Sequence, residues 1–426
     1  MRVRLFALWG LLAALALGVA ACGGQEEEGT GGDTAAGGTP AEGGGKTLTV
    51  YSSLPLQGAS RPQTTAMVDG IKLAFQEADN KAGKFTLKYQ SLDDSQAQAG
   101  SWTPEATSQN ARKVAQAEDV GAYIGEFNSG ASAISMPILN EAMVPQISPA
   151  NTAVGLTSDE AGANPGEPEK YYPGGQRHYV RIVPKDTIQG AALTTVMKKD
   201  GCTKVFMAND KEVYGAGLAS NIQNSAEEQG LEMLGNEGID PKAANYRSLA
   251  SRAKGEGADC FVFAGITANG AVQIFKDFSA ALGPEAKLYG PDGVAESGFA
   301  DPKEGGIPAS VAKQTKVTVA TLEPSSYPAE GRQFFQAFER EYGDKTPDPY
   351  AIYGYEAAQL AMDAIKRSGT GEKEDIVKAL FATKERESVL GTYSIDENGD
   401  TTLTTYGVYT IDNGELAFDE SVEAQA

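Results

Sequence analysis

Residues 121–152 read GAYIGEFNSGASAISMPILNEAMVPQISPANT. A β-rich run, Gly121–Phe127, gives way to Asn128-Ser129-Gly130. A helical stretch near Ser132–Ala142 then leads into a second apolar run, Val144–Ser148. Strand, helix and strand in so short a span make a βαβ unit, and its strands lie parallel. The loops at 125–130 and 147–152 therefore leave the carboxyl ends of neighbouring strands, where ligands of open α/β sheets bind.

The same alternation extends outward. Upstream lie strand-like Thr47–Leu54, a helical stripe over 62–80, strand-like Phe85–Leu92 and a helix around Pro104–Ala117. Downstream the pattern restarts after Tyr179. Helix Thr187–Lys199 precedes strand Lys204–Ala208, and helix Ala216–Gln229 precedes Glu232–Gly235. A stripe at Tyr246, Leu249, Ala250 and Ala253 precedes Cys260–Ala264, and helix Gly270–Ala281 precedes Lys287–Tyr289. Two βα series predict two open parallel sheets with helices on both faces. Beyond them the chain reads as strand Val317–Thr321, helices Ser325–Tyr342 and Pro349–Arg367, and a hairpin turning at Asn413-Gly414.

The first residues are of another kind. Arg2 and Arg4 precede an apolar run ending Val19-Ala20-Ala21-Cys22. This resembles the lipobox of bacterial lipoproteins, which implies residues 1–21 as signal peptide and Cys22 as lipid carrier and membrane anchor; an ordinary signal peptide with an incidental cysteine is the alternative. Residues 22–46 hold ten glycines and no large apolar residue, which predicts a disordered tether. Removing residues 1–21 takes away two arginines and no acid, so the net charge moves from −21 to −23. Attachment then rests on the lipid rather than on attraction to anionic headgroups.

Composition excludes several classes. With 57 acidic against 36 basic residues, the chain is not built to bind nucleic acid. One histidine and three cysteines leave no His-rich or four-thiolate metal site, and no metal or cofactor is expected. Gly45-Lys46-Thr47 lacks the earlier glycine of a phosphate loop, and Ser251-x-x-Lys254 has no companion motif of a serine acylase. Asp396–Asp400 reads as a solvated turn rather than a calcium loop, since Gly407 stands where the bidentate glutamate belongs. His178 reads as an exposed loop residue, and no catalytic residue is assigned.

The two strand–loop junctions remain. Ser129 and Thr152 each put a hydroxyl and backbone N–H groups where an anion could be gripped, although both could equally cap helices. At these residues the sequence resembles the branched-chain amino acid (Leu/Ile/Val-type) substrate-binding lipoproteins of ABC transporters, of the type I periplasmic binding protein family. The resemblance covers residues 47–418. It rests on Gly125-x-x-x-Ser129, Ile147-Ser148-Pro149-Ala150-x-Thr152, Arg181-x-x-Pro184-x-Asp186 with Gln189-Gly190, and Tyr214-Gly215-x-Gly217. Gly290-Pro291-Asp292-Gly293, Tyr353-x-Tyr355-Glu356-Ala357 and Asp396-x-x-Gly399-Asp400 complete it.

The resemblance implies two Rossmann-like lobes joined by three crossovers, near Tyr179–Pro184, Lys313–Ala320 and Ser388–Tyr393. Lobe I is then 47–181 plus 319–389, and lobe II is 182–318 plus 390–426. It implies an extracytoplasmic monomer that takes an amino acid into the interlobe cleft and delivers it to an ABC permease and its ATPase subunits. A sensing receptor of the same fold, or a binder of an amide, urea or other small polar solute, is the alternative. By position, Ser129 and Thr152 would hold the ligand carboxylate. The Ala150 carbonyl, the Thr152 hydroxyl and Asp292 would receive its ammonium. Phe127 and Tyr214 would shape the side-chain pocket, with Asn128, Asn151, Thr267 and Arg61 completing the set. Cys202 and Cys260 precede strands expected to be neighbours, so a disulfide is expected, two buried free thiols being the other possibility.

Overall fold

The computed structural model describes residues 45–424. The expected signal peptide, Cys22 and nearly all of the tether lie outside the described residues. Two sheets organise the chain. The first runs Lys81–Ala82, Phe85–Asp93, Thr47–Leu54, Val120–Ile124, Gln146–Ser148 and Tyr179–Arg181, parallel throughout except for its two-residue edge. The second runs Glu232–Gly238, Lys204–Asn209, Cys260–Ala264, Lys287–Gly290, Thr315–Val319, Thr405–Asp412 and Glu415–Glu423. Its first five strands are parallel and its last two antiparallel. Among the parallel strands each sheet has the doubly wound order 2-1-3-4-5, which opens a crevice where the order reverses. The fold is the expected α/β arrangement of two Rossmann-like lobes with three crossovers.

Burial follows from covering both faces. Seven of the eight residues of Thr47–Leu54 are buried, and all of Val120–Ile124 and Cys260–Ala264. Continuous apolar runs of this kind mark strands with helices above and below. Helix Arg61–Glu77 packs against the much later helix Ala351–Ser368. A Cβ at Gly70 would lie 2.3 Å from the Ala351 carbonyl oxygen, and one at Gly354 would lie 2.3 Å from that of Met67. Two glycines thus let the backbones touch and bring the late helix into the first lobe.

Several boundaries moved. The strand expected over Gly121–Phe127 ends at Ile124, because Gly125 passes under the first strand, where a Cβ would meet the Ser53 carbonyl oxygen at 2.7 Å. The following helix begins at Ser129, three residues earlier than expected. Thr315–Val319 pairs with Lys287–Gly290 and Thr405–Asp412, so this strand belongs to the second sheet and the chain leaves it at the end of the expected Lys313–Ala320 segment. The hairpin Arg386–Ser388/Gly391–Tyr393 stays with the first lobe, since Arg386 Nε and Tyr393 Oη both donate to Glu356 Oε1 at 2.7 Å. The last crossover therefore follows Tyr393.

Two surface assignments are corrected. His178 is fully buried, its Nδ1 2.9 Å from Asn140 Nδ2, and burial lowers its pKa to about 3. The 396–400 turn is not solvated throughout, because Asp400 is buried against Arg181. Asn413 and Gly414 turn the terminal hairpin with φ of 54° and 90°, the conformation a tight two-residue turn requires. Cys202 and Cys260 form a disulfide with Cα atoms 5.8 Å apart. Cys260 pairs in register with Val205, which places the two cysteines at one end of adjacent strands.

Candidate functional site

The loops leaving the carboxyl ends of strands in both sheets meet in one cavity. From the first lobe come Phe127, Asn128, Ser129 and Gly130, which lead into helix Ser129–Glu141, together with Ala150 and Thr152. From the second come Glu212 and Tyr214 at the start of helix Val213–Gln229, Ile266 after Cys260–Ala264, and Asp292 and Gly293 after Lys287–Gly290. Tyr350, directly before helix Ala351–Ser368, closes the ring. The enclosed cavity is ≈ 30 Å³. That is room for about two waters, so the lobes stand close together.

Asp292 is the electrostatic centre. Its Oδ1 accepts from Tyr214 Oη at 2.5 Å and its Oδ2 from Tyr350 Oη at 2.7 Å. Burial pushes its carboxyl upward, while the two tyrosine hydroxyls hold it down. Tyr350 is itself fixed by its backbone N–H to Gln63 Oε1 at 3.0 Å and stands edge-on to Phe127, ring centroids 6.4 Å apart. Asp186 is also fully buried, and neither of its carboxylate oxygens has a hydrogen-bond partner. Burial and the Asp292 charge raise its pKa well above the usual carboxylate range. Ser129 Oγ accepts only a long bond from Ala153 N, at 3.4 Å, and Thr152 Oγ1 has no partner. The floor of the cavity therefore offers the Ser129 hydroxyl at a helix start and the Thr152 hydroxyl beside Asp186, and its far wall a buried carboxylate. No lysine or arginine is among the lining residues.

Seven sequence-assigned residues line this cavity: Phe127, Asn128, Ser129, Ala150, Thr152, Tyr214 and Asp292. Asn151 does not. Its amide donates to the Phe127 carbonyl at 2.9 Å and accepts from Ser132 and Tyr179, so it braces the wall from behind. Thr267 is buried beside Gly293, with its hydroxyl 3.4 Å from the Gly293 carbonyl. Arg61 is exposed at the start of helix Arg61–Glu77 and is absent from the lining. Sequence reasoning missed Glu212, Ile266 and Tyr350. Glu212 was signalled by its place between a strand end and Tyr214, but Tyr350 comes from a distant helix, and only folding reveals it.

Two α/β lobes meeting at a cavity by their strand ends, lined by aromatic rings, hydroxyls and carboxylates, define the two-lobed binding-protein class. The chain belongs to the periplasmic binding protein family, whose sequence profile matches residues 49–415. It is similar to Leu/Ile/Val-binding protein homolog 1 of Brucella melitensis, with 25% identity over 299 residues, 70% of this chain and 74% of the relative. In structure it resembles the leucine binding protein LivK from Thermotoga maritima. The TM-score is 0.74 and the identity 23%, over 88% of this chain and 99% of that one. It also resembles a solute binding protein of an ABC transporter from Rhodopseudomonas palustris HaA2, solved with p-hydroxybenzoic acid. There the TM-score is 0.73 and the identity 19%, over 89% and 98%. The chain is thus a type I periplasmic binding protein of the kind that serves ABC transporters.

Proposed function

We propose that the cavity, widened by separation of the two lobes, takes an α-amino acid and that the protein hands it to an ABC importer. One observation carries this reading: Asp292, gripped by two tyrosine hydroxyls, faces Ser129 and Thr152 in a cavity lined by no basic side chain. A ligand bearing only a carboxylate, such as a benzoate, would bring a second negative charge to Asp292 with no side-chain cation to offset it. A zwitterion meets both ends. Its carboxylate takes the Ser129 and Thr152 hydroxyls and the helix start, and its ammonium takes Asp292 with the Ala150 carbonyl. Relatives named for leucine, isoleucine and valine support an amino acid and make those three the first to test. In such a protein ligand docks on one lobe, closure about the crossovers brings the other onto it, and differential affinity for the closed form lets a permease read occupancy.

Among the described residues no helix is long and apolar enough to cross a membrane. Retention at the membrane would come from a lipid on Cys22, with residues 22–46 as tether and the folded part a monomer. Calorimetry of the protein, stripped by unfolding and refolding, tests the reading against leucine, valine and benzoate. Saturable amino-acid binding that Asp292→Asn abolishes supports it. Tight benzoate binding with no response to any amino acid would sink it.

A further inference from the structure

The ammonium and carboxylate of an amino acid account for one end of the cavity. Its remaining polar wall is unsatisfied in one particular way. Asn128 Oδ1 is buried and has no hydrogen-bond partner, although Asn128 lines the cavity. Glu212 lines the same cavity from the opposite lobe. Its Oε2 comes so close to the first lobe that a Cβ on Gly130 would lie 3.0 Å from it. Its Oε1 accepts one long bond, from Asn269 Nδ2 at 3.4 Å, and Asn269 makes its shorter bond, 3.0 Å, to Asp210. No ion pair to Glu212 exists among the described residues. Two acceptors, one from each lobe, thus belong to residues lining the cleft, and neither has a short hydrogen bond from a protein donor. A purely aliphatic side chain there would leave Asn128 Oδ1 unpaired and strip solvent from the half-buried Glu212 carboxylate, which is costly.

Resting on the amino-acid reading above, we propose that the ligand's side chain ends in a nitrogen donor, received by Glu212 and Asn128, so that the protein selects amine-, guanidinium- or carboxamide-ended amino acids over aliphatic ones. The aromatic and apolar residues Phe127, Tyr214, Ile266 and Tyr350 then enclose the methylene stem, as amphipathic side chains require. Burial and the neighbouring Asp210 push the Glu212 carboxyl up to about 7, so a cation beside it would favour the charged form.

The test is calorimetry of the stripped protein with ornithine, lysine, arginine, glutamine, leucine, isoleucine, valine and benzoate. At least one nitrogen-ended amino acid is expected to bind 10-fold or more tighter than leucine. Glu212→Gln separates the two nitrogen chemistries. Loss of a charge-assisted bond weakens a cationic end by about 10- to 150-fold, whereas an amide end changes by only about threefold. Asn128→Leu should shift preference toward leucine, and a cooperative thermal transition checks that the variant is folded. Leucine, isoleucine or valine binding tightest, with no loss in Glu212→Gln for any nitrogen-ended ligand, would overturn the proposal and leave the amino-acid reading standing. Benzoate binding alone, with no amino acid bound, would overturn both.

Discussion

Asp292 presents its two oxygens to two tyrosines that reach it from different parts of the chain, one beside Glu212 and one before a helix some sixty residues further on. Replacing it with asparagine keeps the shape and removes the charge. Amino-acid affinity should fall steeply, and affinity for a carboxylate lacking an ammonium should rise, as read by calorimetry. Ser129→Ala should weaken the carboxylate end by about 1.5–3 kcal/mol, roughly 10- to 150-fold in Kd. His178 belongs to another scale of pH. Burial lowers its pKa from 6.5 to about 3, so between these values the unfolded chain binds a proton that the native one refuses. Stability from this residue is complete above pH 6.5 and is lost on acidification, by up to about 1.4 kcal/mol per pH unit. Thermal unfolding of His178→Gln should show a shallower loss of Tm than the parent between pH 6.5 and 4. At this scale the sequence was a mixed guide. Hydroxyls and glycines at strand ends were legible, because local turn chemistry places them. The burial of His178 was not, because Asn140 and the layers over it come from elsewhere in the fold.

At the scale of elements, the crossovers are braced rather than loose. Arg181 ends a strand of the first sheet and is wholly buried. Its Nε donates to Asp400 Oδ1 at 2.7 Å, one Nη donates to the Ala153 carbonyl at 2.8 Å, and the other donates to Thr157. Tyr406 Oη adds a bond to the Pro184 carbonyl at 3.0 Å, so the first crossover is also tied to strand Thr405–Asp412 of the second sheet. Asp400→Ala leaves the guanidinium buried and unpaired, and should cost about 3–5 kcal/mol in denaturant unfolding. The disulfide acts on a different pair of elements. It closes a separation of 58 residues, and the Cys202→Ala/Cys260→Ala variant should lose about 4 kcal/mol in the chain-entropy model. Elements with strong periodicity were readable to within a few residues, as Pro104–Ala115 and Lys204–Asn209 show. Helix Lys373–Phe381 and the hairpin after it were passed over. Their short apolar patterns carry little signal alone and are fixed by packing on Ala351–Ser368.

For the whole molecule, a chain begun at Gly45 should keep the ligand affinity of the full protein, because every lining residue lies between 127 and 350. Cys22→Ser should move the protein from the membrane fraction to the soluble one without altering that affinity, as fractionation and calorimetry together would show.

The brace between Arg181 and Asp400 spans 219 residues of sequence. It therefore also sets a schedule. A ribosome adding about 5–20 residues each second needs roughly 10–45 s to supply the aspartate after the arginine has been made. Through that interval the first crossover cannot settle, and the second sheet still lacks the two strands that complete its edge. The growing chain cannot form this brace early. A message truncated shortly before residue 400 would yield a product with an arginine it can neither bury nor pair, open to proteases.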